Sequence, residues 1–190
     1  MREIVIINGA AESGKDTFVE LVGRYIMTDV YSPIDDCKRM LRMMGWDGAK
    51  TEASRKALSD LERLWTEYND GPFLSCARRC WHFFYKPDSE CKPDTELLFL
   101  MIQEPEEIAK IVDFIGELGC WTLLVRRPGH DAEAASNTSD RRVEEYDYDL
   151  AIDNDGTLEN LEEKAKAFIE ELRTKAAERA GVWATRPGAS

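Results

Sequence analysis

Hydrophobic positions along the chain switch between short continuous runs and a helical repeat. Ile4-Val5-Ile6-Ile7 is fully apolar and β-branched, and Asn8-Gly9 closes it, as expected of a buried parallel strand. Phe18, Leu21, Val22, Tyr25 and Ile26 then fall on one face of a predicted amphipathic helix. A second short strand is predicted at Val30-Tyr31-Ser32, stopped by Pro33, and Ile34, Cys37, Met40, Leu41 and Met44 return to helical spacing. Leu58, Leu61, Leu64, Trp65 and Tyr68 predict a further helix, broken at Asp70-Gly71-Pro72, with another over Phe73 to Phe84 and a loop from Lys86 to Pro93. A third apolar run, Leu97 to Ile102, precedes Pro105, which suits the first position of a helix carrying Ile108, Ile111, Val112 and Ile115. Trp121 to Val125 and Asp149 to Asp153 give strands four and five. Thr157 is placed to cap a last helix with Leu158, Leu161, Ala165, Phe168 and Leu172 on one face. Strands alternating with helices imply an α/β domain with a mostly parallel sheet, and ligands at the carboxyl ends of the strands. The expected organisation is one domain over residues 1–176 and a flexible tail over 177–190.

Composition narrows the possible partners. The chain has 190 residues, 43% of them hydrophobic, and a formal net charge of −12. So acidic a chain argues against non-specific binding to nucleic acid or anionic lipid, both of which need a basic face, and no apolar run reaches the ~18 residues of a membrane span. The start, Met1-Arg2-Glu3, is unlike a secretory leader, so a cytoplasmic location is expected. The charge is also localised. Residues 131–163 carry twelve acids against Arg141 and Arg142, leaving the rest of the chain nearly neutral. Five cysteines at irregular spacing fit reduced thiols. Cys76, Cys80, His82 and Cys91 could be strung into a zinc site, but the spacing between Cys76 and Cys80, next to Trp81 and Phe83, reads more simply as core.

The chemistry concentrates after the first strand, in Gly9-Ala10-Ala11-Glu12-Ser13-Gly14-Lys15-Asp16-Thr17. This is the phosphate-binding pattern G-x-x-x-x-G-K in its proper setting, strand before and helix after. Glycines let backbone N–H groups turn toward phosphates, the helix N-terminus favours an anion, and Lys15 supplies a cation. Gly9, Ala11, Glu12, Ser13, Gly14, Lys15, Asp16 and Thr17 are therefore candidate nucleotide contacts. The residue after Lys15 is Asp16 where the general pattern has a hydroxyl. Thr17 is then the nearest candidate partner for Mg²⁺ or phosphate, with Asp16 acting through water or capping the helix.

Ser13-Gly14-Lys15-Asp16-Thr17 resembles the loop of the bacteriophage-type deoxynucleoside monophosphate kinases. Ser32-Pro33-Ile34-Asp35-Asp36 is similar to their segment after the second strand. So is the order Val125-Arg126-Arg127-Pro128-Gly129-His130, a polar loop, an apolar strand and Asn154-Asp155-Gly156. The resemblance covers about residues 1–45 and 95–175 and does not extend to 46–94. It implies a P-loop kinase fold with a five-stranded sheet in the order 2-3-1-4-5. The implied activity is transfer of the ATP γ-phosphoryl group to a (deoxy)nucleoside monophosphate, with Mg²⁺ as cofactor and the protein a monomer or homodimer.

Phosphoryl transfer asks mainly for cationic clamps. Arg126, Arg141 and Arg142 are candidate catalytic cations beside Lys15, and Arg127 and Asn154 are candidate nucleotide contacts. The segment 128–146 would be a lid, although for either arginine pair a solvated surface position is the competing reading. Lys38, Arg39, Arg42 and Arg55, in a helical insertion spanning 33–94, are candidates for the acceptor. Glu104, after the third strand, is a candidate to order Mg²⁺-bound water. Two alternatives stay open: a kinase of another phosphometabolite, such as phosphomevalonate, and a non-catalytic nucleotide-binding regulatory module.

Overall fold

In the computed structural model, residues 2–85, 94–129 and 142–184 are described. Five strands, β1 (Glu3–Asn8), β2 (Thr28–Tyr31), β3 (Leu97–Met101), β4 (Cys120–Arg126) and β5 (Leu150–Asp153), form one parallel sheet in the order β2-β3-β1-β4-β5. That is the order the family resemblance implies. Among the described residues the sheet is flanked by six α-helices: α1 (Lys15–Gly23), α2 (Pro33–Met43), α3 (Glu52–Asn69), α4 (Gly71–Tyr85), α5 (Pro105–Ile115) and α6 (Leu158–Ala184).

Period-two alternation in the strands divides the core between two faces of the sheet. Val5, Ile7, Phe99 and Leu123 face α1 and α6, where Phe18 and Phe168 meet edge to face at 5.4 Å. Ile4, Ile6, Leu98 and Leu100 pack on the other side against Ile108, Ile111 and Ile115 of α5 and Phe83 of α4. Cys76 and Cys80 belong to this second layer, and burial pushes the Cys80 thiol up to about 12. They are core side chains, as the simpler reading of their spacing has it, and Cys91 lies outside the described residues.

Element boundaries differ locally from the sequence reading. Strand β2 begins at Thr28, and Ser32, still extended, is the residue that precedes α2, so of the expected strand Val30 and Tyr31 lie in β2. The last helix also runs beyond the boundary expected at residue 176 and continues to Ala184. The physical reason is long-range anchorage. The Arg179 guanidinium donates to Glu3 Oε2 at 2.6 Å, and Trp121 Nε1 donates to the same buried carboxylate at 2.9 Å. Lys175 and Arg179 also lie over the Trp121 ring. Residues 185–190 of the expected tail fall outside the described residues.

Between α2 and β3 the unassigned middle of the chain forms two helices at the positions the periodicity indicates. Thr51 caps α3 by accepting from Ser54 N–H at 3.1 Å, and Asp70 ends it in the left-handed region at φ 55°. Asp36 of α2 joins this layer together. It accepts from the Ser75 hydroxyl of α4 at 2.8 Å and from Tyr31 at the end of β2. The helical insertion therefore stands over the carboxyl edge of the sheet.

Candidate functional site

Asn8, the last residue of β1, sets the loop that follows. It is fully buried, its Oδ1 accepts from Gly9 N–H at 2.8 Å, and its Nδ2 donates to Gln103 O at 2.9 Å and to the Tyr148 hydroxyl at 2.8 Å. The turn then needs glycine twice. A Cβ at Gly9 would collide with the carbonyl oxygen of Val125, and Gly14 has φ 93° with Asn154 packed against it. Glu12 also lies in the left-handed region, at φ 64°. Asn154 Nδ2 donates to Ser13 O at 3.0 Å, and Arg127 reaches Glu12 O at 3.4 Å. The loop is thus held from behind by the segments after β4 and β5. Helix α1 starts at Lys15, so its free N–H groups open toward the loop.

Two cavities meet at this point. One, of about 480 Å³, is lined by Glu12 to Thr17, by Arg127 and Asn154, and by Gly156 to Leu158. It brings together most of the residues predicted to contact a nucleotide. Gly9 shapes the turn from below without lining the cavity, and Ala11 is likewise not among the lining residues. The second cavity, of about 570 Å³, lies under α3 and α4 and is walled by Phe73, Pro72, Ile102 and Ile111 among others. Lys15 and Asp16 line both.

The remaining predicted residues are placed less simply. Arg126 ends β4 but pairs with Asp153 at 2.9 Å and lines neither cavity. Arg142 is held by three carboxylates, Glu106 at 2.5 Å, Glu145 at 2.9 Å and Glu104 at 3.2 Å. Its hydrogen bond holds the Glu106 carboxyl below the usual range. Arg141 and most of the expected lid lie outside the described residues. Of the four candidate acceptor contacts only Lys38 lines the second cavity, and it is paired with Asp35 at 2.7 Å. Arg39 pairs with Asp36, Arg42 lies over the Trp46 ring at 5.5 Å, and Arg55 lines neither cavity. Glu104 lines the second cavity, and Thr17 lines the first.

The donor set suits Mg²⁺ shared with phosphate oxygens. Thr17 and Asp16 offer one hydroxyl and one carboxylate beside the phosphate loop. Among the described residues no group of three or more His, Cys, Asp or Glu is arranged to hold a metal alone. Magnesium commonly binds through one or two protein oxygens, water and substrate phosphates, which this arrangement fits.

Sequence reasoning missed Asn8 and Glu62. Asn8 looked like part of a turn dipeptide, and only the topology shows that it ties three segments to the loop. Glu62 lies on α3, outside any recognisable motif, yet it faces the second cavity. Burial pushes its carboxyl up, as do Glu104 and Glu107 nearby.

No protein-family model matches the chain, and no curated protein is similar to it. Solved structures of similar outline include the Mycobacterium tuberculosis APS kinase in complex with AMPPNP and APS. It shares 16% identity at a TM-score of 0.45, over 90% of this chain and 98% of that one. Shikimate kinase from Aquifex aeolicus shares 15% at 0.46, covering 93% and 99%. TT1252 from Thermus thermophilus shares 21% at 0.48, covering 90% and 98%. At such identities and scores, the chemistry of the site has to be read from the side chains of this chain.

Proposed function

We propose that this protein is an ATP-dependent phosphotransferase, carrying the γ-phosphoryl group to a small acceptor bound in the larger cavity. The observation that carries this reading is the position of Lys15 and Asp16, which line both cavities and so mark where donor and acceptor would meet. The loop N–H groups and the α1 N-terminus cradle the phosphates, and Lys15 neutralises charge on the transferring group. Thr17, with Asp16 through water, would hold Mg²⁺, which when bound offsets phosphate charge. Arg127 and Asn154 flank the nucleotide side. Arg141 and Arg142 remain candidate clamps, Arg142 on condition that it leaves its three carboxylates.

A (deoxy)nucleoside monophosphate is the acceptor that the sequence resemblance implies, and Lys38 is the residue supporting it in the cavity. The test is ADP formation, followed by a coupled assay with MgATP and a panel of acceptors. Acceptor-dependent ADP formation by the wild type, lost in Lys15→Ala, supports the reading. Tight MgATP binding with no ADP formed from any acceptor would leave a nucleotide-binding module instead.

A further inference from the structure

The larger cavity has an unusual charge for a phosphate acceptor. Five carboxylates line it: Asp16, Asp35, Glu62, Glu104 and Glu107. The cations lining it are Lys15 and Lys38. Lys15 is committed to the nucleotide phosphates on the reading above, and Lys38 is paired with Asp35. A phosphate monoester carries nearly two negative charges at neutral pH, and entering this space it would meet a surplus of acid, with no arginine among the described lining residues to grip it.

The acids are also not equivalent. Glu104 is paired with Arg142 and Glu107 with Lys110 at 2.8 Å, so both already have cations beside them. Glu62 has no ion pair and no hydrogen bond to its carboxylate among the described residues, although it is half-buried. Its charged neighbours, Glu104 just before α5 and Glu107 within it, repel it. A partly desolvated carboxylate facing two others is costly unless something positive is bound there. Apolar residues, Phe73 and Ile111 among them, line the same cavity and suit a carbon skeleton. A volume of about 570 Å³ is within the range of small-molecule sites.

We infer that the acceptor is a small hydroxylated amine, its ammonium group bound by Glu62 between Glu104 and Glu107 and its hydroxyl turned toward Lys15 and Asp16. This rests on the phosphotransferase reading above and replaces the nucleoside monophosphate implied by the resemblance with a cationic acceptor. In the transfer step the hydroxyl oxygen forms a bond to the γ-phosphorus as the bond to the β–γ bridging oxygen breaks. ADP leaves with that electron pair, and the hydroxyl proton passes to the carboxylate of Asp16, the one acid lining both cavities.

Glucosamine, glucose and dTMP serve as cationic, neutral and anionic probes. Each is titrated calorimetrically into the protein with Mg²⁺ and a non-hydrolysable ATP analogue, and each is then assayed for ADP formation. Glucosamine is expected to bind at least about tenfold tighter than glucose, and dTMP weakest. Glu62→Gln should erase most of the preference for glucosamine over glucose while MgATP binding is kept, which shows that the variant is folded. Glucosamine binding no tighter than glucose, or dTMP binding tightest, overturns the inference, whereas ADP formation with dTMP would still uphold phosphotransfer. Preferred binding of glucosamine with no ADP from any probe upholds the cationic site and counts against the transfer reading.

Discussion

Lys15 and Glu62 line the same cavity, and each has a distinct expected signature. Lys15 faces the phosphate loop and takes no part in the core, so Lys15→Ala should lower turnover by about a thousandfold or more while leaving the thermal midpoint within about 1 °C. Glu62 carries a folded-state pKa raised by burial and by Glu104 and Glu107. The folded protein therefore holds this proton more tightly than the unfolded chain does. Stability from Glu62 is present at acid pH and is lost as pH rises from the ordinary glutamate range through the raised value. Glu62→Gln should accordingly raise the melting temperature at pH 7, on the order of 1–2 °C, and lose that advantage near pH 4. Paired melts of the two proteins at both values check the sign. At Gly14, where φ is 93° and Asn154 closes in, Gly14→Ala should distort the loop and weaken MgATP binding at least about tenfold.

At the scale of elements, the long last helix is tied to the sheet at two levels. Phe168 packs between Phe18 and Phe99, and Phe168→Ala should cost about 3–5 kcal/mol by leaving a cavity there. Further along, Arg179→Ala would leave the buried Glu3 carboxylate with Trp121 as its remaining donor, at a cost of about 2–3 kcal/mol. Chemical denaturation of each variant reads these directly. The first anchor was legible in the sequence, because Leu161, Ala165, Phe168 and Leu172 repeat at helical spacing. The second was not: Arg179 lies in a polar stretch, and its partners are more than fifty residues away along the chain. The same limit applies to β2, where Thr28 and Asp29 have no apolar signature and take strand geometry from pairing with Leu97 and Leu98.

The whole molecule places a nearly neutral phosphate loop beside an acidic cavity, beneath a layer of helices. The loop was readable because its residues are contiguous and each answers to a backbone requirement. The cavity was not, because Asp16, Glu62 and Glu107 come from three helices that only the fold brings together. Charge counting along the chain pointed to residues 131–163, but four of the five cavity acids precede Glu107 and all lie outside that stretch. Position along the chain makes the basic residues of α2 candidate acceptor contacts, and the structure turns Arg39 to Asp36 and Arg42 to Trp46. The most direct test of phosphoryl transfer at this site is the movement of label from γ-labelled ATP into a small acceptor, measured side by side for the wild type and Lys15→Ala. Label in the acceptor with the wild type and none with the variant is the predicted result. Equal labelling by both proteins, or none by the wild type with any acceptor, would contradict it.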